Sequence, residues 1–226
     1  MWNEIIESCD AALFDLDGTV VDSMWIWKQI DIDYFARCDL KMPKHYQKEI
    51  EGLSFYETAV YTHEKYIPFV TVDKMISDWN DMAYDLYANT VKPKECILEF
   101  LDHLHKNGKK CGMATSNSRV LCTATLKNNG LLDYFDCIIT GEECTAGKPA
   151  PDVYLKCAAA LGVKPERCIV FEDICKGIDA GNNAGMMTVA VHDDYSSYQW
   201  NEKCKTADHS IMSYKEITDE ICFPKS

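Results

Sequence analysis

Two carboxylates stand two residues apart where an apolar segment ends. Residues 11–16 are apolar except for Asp15, and Asp17 and Gly18 follow directly. This pattern is typical of a strand buried on both faces of a parallel sheet. Side chains two apart on a strand share a face, and glycine allows a sharp exit, so both carboxylates can address one pocket. Because buried unpaired carboxylates are costly, we expect a bound cation or a reaction that uses their charge. The alternative is an acidic turn or a calcium loop, although an EF-hand needs more oxygen ligands than this segment offers.

A cluster of hydroxyl and amide side chains follows the apolar segment 110–115. It consists of Thr115, Ser116, Asn117 and Ser118. Together with backbone N–H groups at a helix start, such residues can bind phosphate oxygens. The same residue types also simply cap helices, so the cluster alone does not decide between the two interpretations.

Two further motifs with charged residues follow later in the chain. Lys148 stands between Gly147 and Pro149, and Glu172 and Asp173 end the apolar segment 168–172. A lone lysine usually lies on a solvated surface, but beside several carboxylates and an anionic substrate a fixed ammonium would neutralise charge. Four acidic groups at one sheet edge would repel each other unless a hard cation such as Mg²⁺ lay among them.

The apolar segments alternate with helical patterns from about residue 91 onward, which predicts an α/β fold with a doubly wound, Rossmann-like parallel sheet. In such sheets ligands bind at the carboxyl ends of the strands, where all four motifs would lie. Pro93 and Pro151 are predicted to start helices. The predicted strands are 11–16, 110–115, 137–140, 168–172 and 187–191.

Residues 22–90 show helical stripes and no strand-like segment. They are predicted to form a small inserted α-helical cap domain, with the α/β core domain formed by residues 1–21 and 91–226. Because the insertion begins shortly after Asp17, we expect it to act as a lid that excludes water. The alternative is that these helices only enlarge the core.

Composition excludes several function classes. The chain has 226 residues, 47% of them hydrophobic, and a net charge of −13, which disfavours nucleic acid and anionic membranes as partners. No segment approaches the roughly 20 apolar residues of a membrane span, and the N-terminus lacks a signal pattern, so a cytoplasmic location is expected. The 12 cysteines form no C-x-x-C pair, which favours reduced thiols over disulfides or zinc.

In these motifs and their order the chain resembles the haloacid dehalogenase superfamily of phosphohydrolases. The insertion and the sequence segments around Lys148 and Glu172 are most similar to those of the helical-cap branch, which includes β-phosphoglucomutase and sugar-phosphate phosphatases. The resemblance spans nearly the whole chain and rests on Asp15-x-Asp17-Gly18-Thr19, Thr115, Lys148-Pro149 and Glu172-Asp173.

The resemblance implies a role for each motif residue. Asp15 would attack phosphorus to give an aspartyl-phosphate, and Asp17 would protonate the leaving oxygen and then deprotonate water. Thr115 and Lys148 would hold the phosphoryl oxygens, with Ser116 and Asn117 as further substrate-binding candidates. Mg²⁺ would be held by the Asp15 carboxylate, the Asp17 backbone carbonyl, Asp173 and, through water, Glu172.

The cap sequence favours a phosphatase over a mutase. In the mutase a Lys-Gly pair and a nearby Arg bind a second phosphate, whereas this chain has Glu51 and Phe55 at the corresponding positions, and both are poor phosphate ligands. We therefore predict a Mg²⁺-dependent phosphatase that acts on a small phosphorylated, sugar-phosphate-like metabolite, as a monomer or weak homodimer.

The alternatives to this function are a phosphosugar mutase and a non-catalytic phosphoester-binding module. Dehalogenase chemistry needs neither Asp17 nor Mg²⁺, and a phosphonatase is a minor alternative.

Overall fold

A computed structural model describes residues 1–50 and 55–222. It divides the chain into two compact units. The first unit holds Met1–Ser23 and the chain from Val91 onward, and the second holds Met24–Thr90. None of the helices in these described ranges is long and apolar enough to cross a bilayer.

The first unit is built on a parallel sheet in the order β5-β4-β1-β6-β7-β8, and every neighbouring pair in it is parallel. Two short strands, β2 and β3, pair antiparallel where the chain leaves and re-enters this unit. The predicted fold class is therefore confirmed. The strands are β1 (Ala11–Phe14), β2 (Val21–Asp22), β3 (Lys92–Pro93), β4 (Lys110–Thr115), β5 (Cys137–Thr140), β6 (Cys168–Glu172), β7 (Met187–Val191) and β8 (His209–Ile211).

The strand order reverses at β1. From β1 the chain builds β4 and β5 on one side, then returns to build β6, β7 and β8 on the other. The carboxyl ends of β4, β1 and β6 therefore lie side by side at the switch point, where doubly wound sheets bind ligands. The helices in chain order are α1 (Trp2–Ser8), α2 (Trp25–Arg37), α3 (Tyr46–Glu49), α4 (Phe55–Lys65), α5 (Val72–Asn89), α6 (Ile97–Lys106), α7 (Arg119–Asn128), α8 (Asp152–Leu161), α9 (Cys175–Asn183), α10 (Trp200–Thr206) and α11 (Lys215–Cys222).

Four of the five predicted strands are confirmed with their bounds, and three local expectations were wrong. Strand β1 ends at Phe14 rather than at residue 16, because the chain turns after Asp15. Strand β8 was not expected. Pro93 lies in β3 opposite Val21 instead of starting a helix, whereas Pro151 directly precedes α8 as predicted.

The second unit consists of helices α2 to α5. Helical stripes were predicted in this part of the chain, and the buried face of α5 is one of them, since it holds Met75, Trp79 and Ala83. An acidic side chain is also buried here: Asp31 accepts a hydrogen bond of 2.6 Å from the Gln47 amide. Burial raises the pKa of Asp31 to about 6, against the lowering effect of its hydrogen-bond donors.

Candidate active site

Three neighbouring strands bring the predicted motifs to one sheet edge. Phe14 of β1 lies opposite Met113 of β4 and Phe171 of β6, so the residues that follow each of them end up side by side. The backbone N–H of Asp15 still donates to the Phe171 carbonyl at 3.1 Å. This bond holds the carboxylate after β1 next to the end of β6.

Three carboxylates meet at this edge. Oxygen atoms of Asp15, Glu172 and Asp173 all lie within 4.8 Å of one another, and all three residues are buried. Burial raises the pKa of Asp15 to about 7 despite a neighbouring ammonium. Burial, and then the charges of Glu172 and Asp15, raise the pKa of Asp173 well above its ordinary value.

Lys148 provides the opposing charge. Its ammonium lies 2.6 Å from Asp15 Oδ1 and 2.5 Å from Glu172 Oε1, and it also donates to the Ala114 carbonyl at 3.2 Å. Burial alone would lower the pKa of Lys148, but the two carboxylates outweigh it and raise that pKa. The lysine is thus a buried cation that bridges two candidate ligands.

Asp17 lies in the turn after β1 and is oriented by two side chains. Ser23 Oγ donates to Asp17 Oδ1 at 2.5 Å, and Asn117 Nδ2 donates to Oδ2 at 2.9 Å. The turn requires Gly18, whose φ of +74° falls in the left-handed region that favours glycine. This geometry directs the Asp17 carboxylate toward the end of β4, where Asn117 lies.

The hydroxyl cluster after β4 separates into different roles. Thr115 is buried, and its Oγ1 accepts the Asn117 backbone N–H at 3.0 Å. Ser118 caps α7 by accepting the Leu121 N–H at 3.3 Å, as the capping interpretation predicted. Ser116 is exposed. Asn117 links this cluster to another predicted site residue, because its side-chain amide donates to the Asp17 carboxylate.

The Glu172 carboxylate has more hydrogen-bond donors than the sequence indicated. Besides the Lys148 ammonium, its carboxylate accepts Tyr154 Oη at 2.8 Å and the Asp173 backbone N–H at 3.0 Å. The Lys148 ammonium also lies 5.0 Å from the centre of the Tyr154 ring. Tyr154 was not predicted as a site residue, because no local signal in the sequence connects it with the site.

Asp173 has partners that the sequence did not predict. Ser196 Oγ donates to its main-chain carbonyl at 2.9 Å and lies 3.3 Å from Oδ2. The Lys203 ammonium donates to the same carbonyl at 2.6 Å. Both residues follow β7, far along the chain from the four motifs, and a serine and a lysine there carry no recognisable signature.

The donor set suits a hard divalent cation. Three buried carboxylates offer only oxygen ligands, which Mg²⁺ prefers. Burial, and after it the charge of the neighbouring carboxylates, raises the pKa of Asp15 and Asp173. Asp15, Glu172 and Asp173 could therefore hold the ion. Asp17 was expected to offer its backbone carbonyl, and that ligand stays a prediction. Its carboxylate accepts hydrogen bonds from Ser23 and Asn117.

The position assigned to a mutase phosphate ligand in the cap holds an aromatic ring. Phe55 packs edge-on against Trp27, with ring centres 5.4 Å apart, and against Trp79 at 5.6 Å. The other position, Glu51, lies outside the described residues.

Comparisons with known proteins agree on one family and fold. A model of the haloacid dehalogenase-like hydrolases matches residues 12–191. Pyrophosphatase PpaX from Bacillus velezensis is 30% identical over 181 residues, which are 80% of this chain and 82% of that protein. CbbY from Rhodobacter sphaeroides, solved in complex with phosphate, matches with a TM-score of 0.80 at 20% identity, covering 92% of this chain and 96% of CbbY. A β-phosphoglucomutase from Clostridium difficile matches with a TM-score of 0.75 at 24% identity, covering 95% of each chain. At these identities the two solved structures are similar in fold.

Proposed function

The chain belongs to the haloacid dehalogenase-like hydrolases, and from that premise we propose that it is a Mg²⁺-dependent phosphatase of small phosphomonoesters. The observation that carries the proposal is the bridge of the Lys148 ammonium between Asp15 and Glu172 beside the Asp173 carboxylate. A nucleophilic carboxylate, a fixed cation and oxygen ligands for a metal are the parts that phosphoryl transfer needs.

In the first half of the proposed reaction, an Asp15 carboxylate oxygen forms a bond to phosphorus as the bond to the leaving oxygen breaks. Asp17 gives its proton to that leaving oxygen, and the product alcohol departs. The fixed orientation of the Asp17 carboxylate by Ser23 and Asn117 supports this role, because a general acid must be aimed at the atom that it protonates.

In the second half, water attacks the phosphorus of the aspartyl-phosphate. Asp17 takes the proton from this water, phosphate is released, and Asp15 is regenerated. Lys148 and Thr115 would hold the phosphoryl oxygens during both halves. Bound Mg²⁺, held by Asp15, Asp173 and Glu172, would neutralise the charge on those oxygens.

The test is phosphate release by the purified protein with Mg²⁺ against a panel of phosphomonoesters. The panel also contains pyrophosphate, because the relative PpaX is named a pyrophosphatase. We expect release that EDTA abolishes and that Asp15→Asn lowers by about 10⁴-fold or more, as loss of a covalent nucleophile does. Asp10→Asn is the matched control, since Asp10 lies before the other end of β1 in an exposed ion pair with Arg167. Its activity should equal that of the wild type, and full activity of Asp15→Asn would refute the mechanism.

The mutase alternative is tested in the same experiment. β-Glucose 1-phosphate is assayed for glucose 6-phosphate, and isomerisation without phosphate release would replace the phosphatase by a mutase. Phe55 in an aromatic cluster favours the phosphatase.

If a phosphate mimic stabilises the protein while no substrate is turned over, the non-catalytic binding module becomes the better description. Four further expectations stay predictions. They are a small phosphorylated metabolite as the substrate, a cytoplasmic location, a monomer or weak homodimer, and a helical lid that excludes water.

A further inference from the structure

A lysine buried from solvent lies behind the acidic cluster. Lys203 is 0% exposed, and its ammonium donates to three oxygens: the Asp173 carbonyl at 2.6 Å, Ser196 Oγ at 3.0 Å and the Val191 carbonyl at 3.4 Å. An ammonium has three N–H donors, so each of them has an acceptor here. An apolar side chain would fill such a site at lower cost than a buried charge, which indicates that the charge and its donors serve a purpose beyond packing.

The hydrogen bonds run in one direction, from Lys203 to Asp173. Because Ser196 Oγ accepts a hydrogen bond from the Lys203 ammonium, its own hydroxyl proton is left to donate to Asp173. Two Asp173 oxygens lie within reach of that proton, the main-chain carbonyl at 2.9 Å and the carboxylate Oδ2 at 3.3 Å. The serine therefore holds the backbone of Asp173 and faces its carboxylate at the same time. Ser196 is 2% exposed, so bulk water does not compete for the hydrogen bonds of its hydroxyl.

We propose that Ser196, oriented by Lys203, is a positioning residue for Asp173 and thereby sets the affinity of the acidic cluster for Mg²⁺. This inference rests on the proposed function, because it takes Asp173 as a metal ligand. Partners that orient a metal ligand typically change metal affinity by about 10–100-fold when they are removed. Neither Ser196 nor Lys203 touches the reacting atoms in the proposed reaction.

The experiment is a calorimetric titration of the full-length protein with MgCl₂ in the absence of substrate. Ser196→Ala should raise the Kd for Mg²⁺ by about 10–100-fold, while Ser196→Thr, which keeps the hydroxyl, should restore most of the affinity. The turnover number at saturating Mg²⁺ should change far less than the Kd. A matched control is Thr188→Val, which removes a buried hydroxyl from β7 that bonds Asn182 and Asp208 rather than the cluster. Its Kd for Mg²⁺ should equal that of the wild type.

The outcomes separate this inference from the proposed function. If the wild type does not bind Mg²⁺, the proposed metal dependence falls and takes the inference with it. If the wild type binds Mg²⁺ and Ser196→Ala binds it equally well, or if Thr188→Val loses as much affinity as Ser196→Ala, only the inference falls. Should Ser196→Ala fail to fold by circular dichroism, Ser196→Cys is titrated instead, because a thiol is a weak donor. An unchanged Kd for that variant would overturn the inference equally.

Discussion

Gly177, early in α9, leaves the space that the Glu172 carboxylate occupies. A Cβ at position 177 would lie 1.8 Å from Glu172 Oε1 and 1.9 Å from its Cδ, so Gly177→Ala forces the carboxylate to move. That carboxylate cannot move cheaply, because Lys148, Tyr154 and the Asp173 backbone all donate to it.

Two effects of Gly177→Ala on stability have opposite signs. Alanine is favoured over glycine inside a helix by about 0.5–1 kcal/mol. Separation of a buried ion pair costs about 3–5 kcal/mol, and the Glu172–Lys148 pair is fully buried on the carboxylate side. The ion pair dominates, so the free energy of unfolding should fall by about 2–4 kcal/mol. Because Lys148 also loses its position beside Asp15, the turnover number should fall by about 10²-fold, as for a misplacement of roughly 1 Å.

Urea denaturation and phosphate release test this prediction together. Lys176→Ala serves as the control, since Lys176 is the exposed neighbour on the same helix turn, and its free energy of unfolding should stay within about 0.5 kcal/mol of the wild type. A Gly177→Ala protein that is as stable as the wild type and fully active would refute the reasoning, because it would mean that Glu172 can relocate without loss.

Three further predictions follow from the same contacts. Asp17→Asn removes the base that takes the proton from the water attacking the intermediate, so phosphate release should drop by about 10²–10⁴-fold; intact mass after mixing with acetyl phosphate should show one added phosphoryl group, and an unmodified mass with normal turnover would contradict the role. Lys148→Met leaves Asp15 and Glu172 buried without their cation, so the free energy of unfolding should fall by about 3–5 kcal/mol. Burial raises the pKa of Asp15 to about 7, so the loss should be smaller at pH 5, where Asp15 is protonated, than at pH 8; an equal loss at both values would count against the ion pair. The pKa of Asp31 is raised to about 6, so its contribution to stability is fully present below its ordinary pKa and is lost as the pH rises through 6. Asp31→Asn should therefore stabilise the protein by about 3 kcal/mol at pH 7.5 and by little at pH 3.5, and equal urea midpoint shifts at the two pH values would be inconsistent with that.

The sequence predicted four strand bounds because each of these strands is a short apolar segment, including β5 at the edge of the sheet, which is only partly buried. Strands β4, β5, β6 and β7 have the predicted bounds. Strand β8 was missed because His209 is half-buried and Ser210 is exposed, so the edge strand has no continuous apolar segment. The proline at position 93 was misread because a proline is equally compatible with a short edge strand. The family resemblance drawn from the motifs is confirmed by the match over residues 12–191.

The candidate site was predictable only as far as its residues carry local patterns. Asp15, Lys148 and Glu172 follow apolar strands or stand in a stiff loop, and the structure brings them together. Ser196 and Lys203 lacked such patterns because their contacts depend on how the chain returns after β7. Long-range packing of this kind has no signature in the neighbouring residues of either side chain.

The position of β1 in the middle of the sheet has a consequence for how the protein is made. Ala11 pairs with Lys110 on one side and with Cys168 on the other, so the strand that carries the proposed nucleophile lacks its second neighbour until about 150 further residues have been synthesised. At about 5–20 residues per second this interval lasts roughly 8–30 s. During that time a fully apolar strand waits with unpaired backbone groups, which is the state most exposed to wrong pairing between nascent chains. The arrangement that gathers the site from both halves of the sheet therefore also leaves β1 with one unpaired side until β6 has been synthesised.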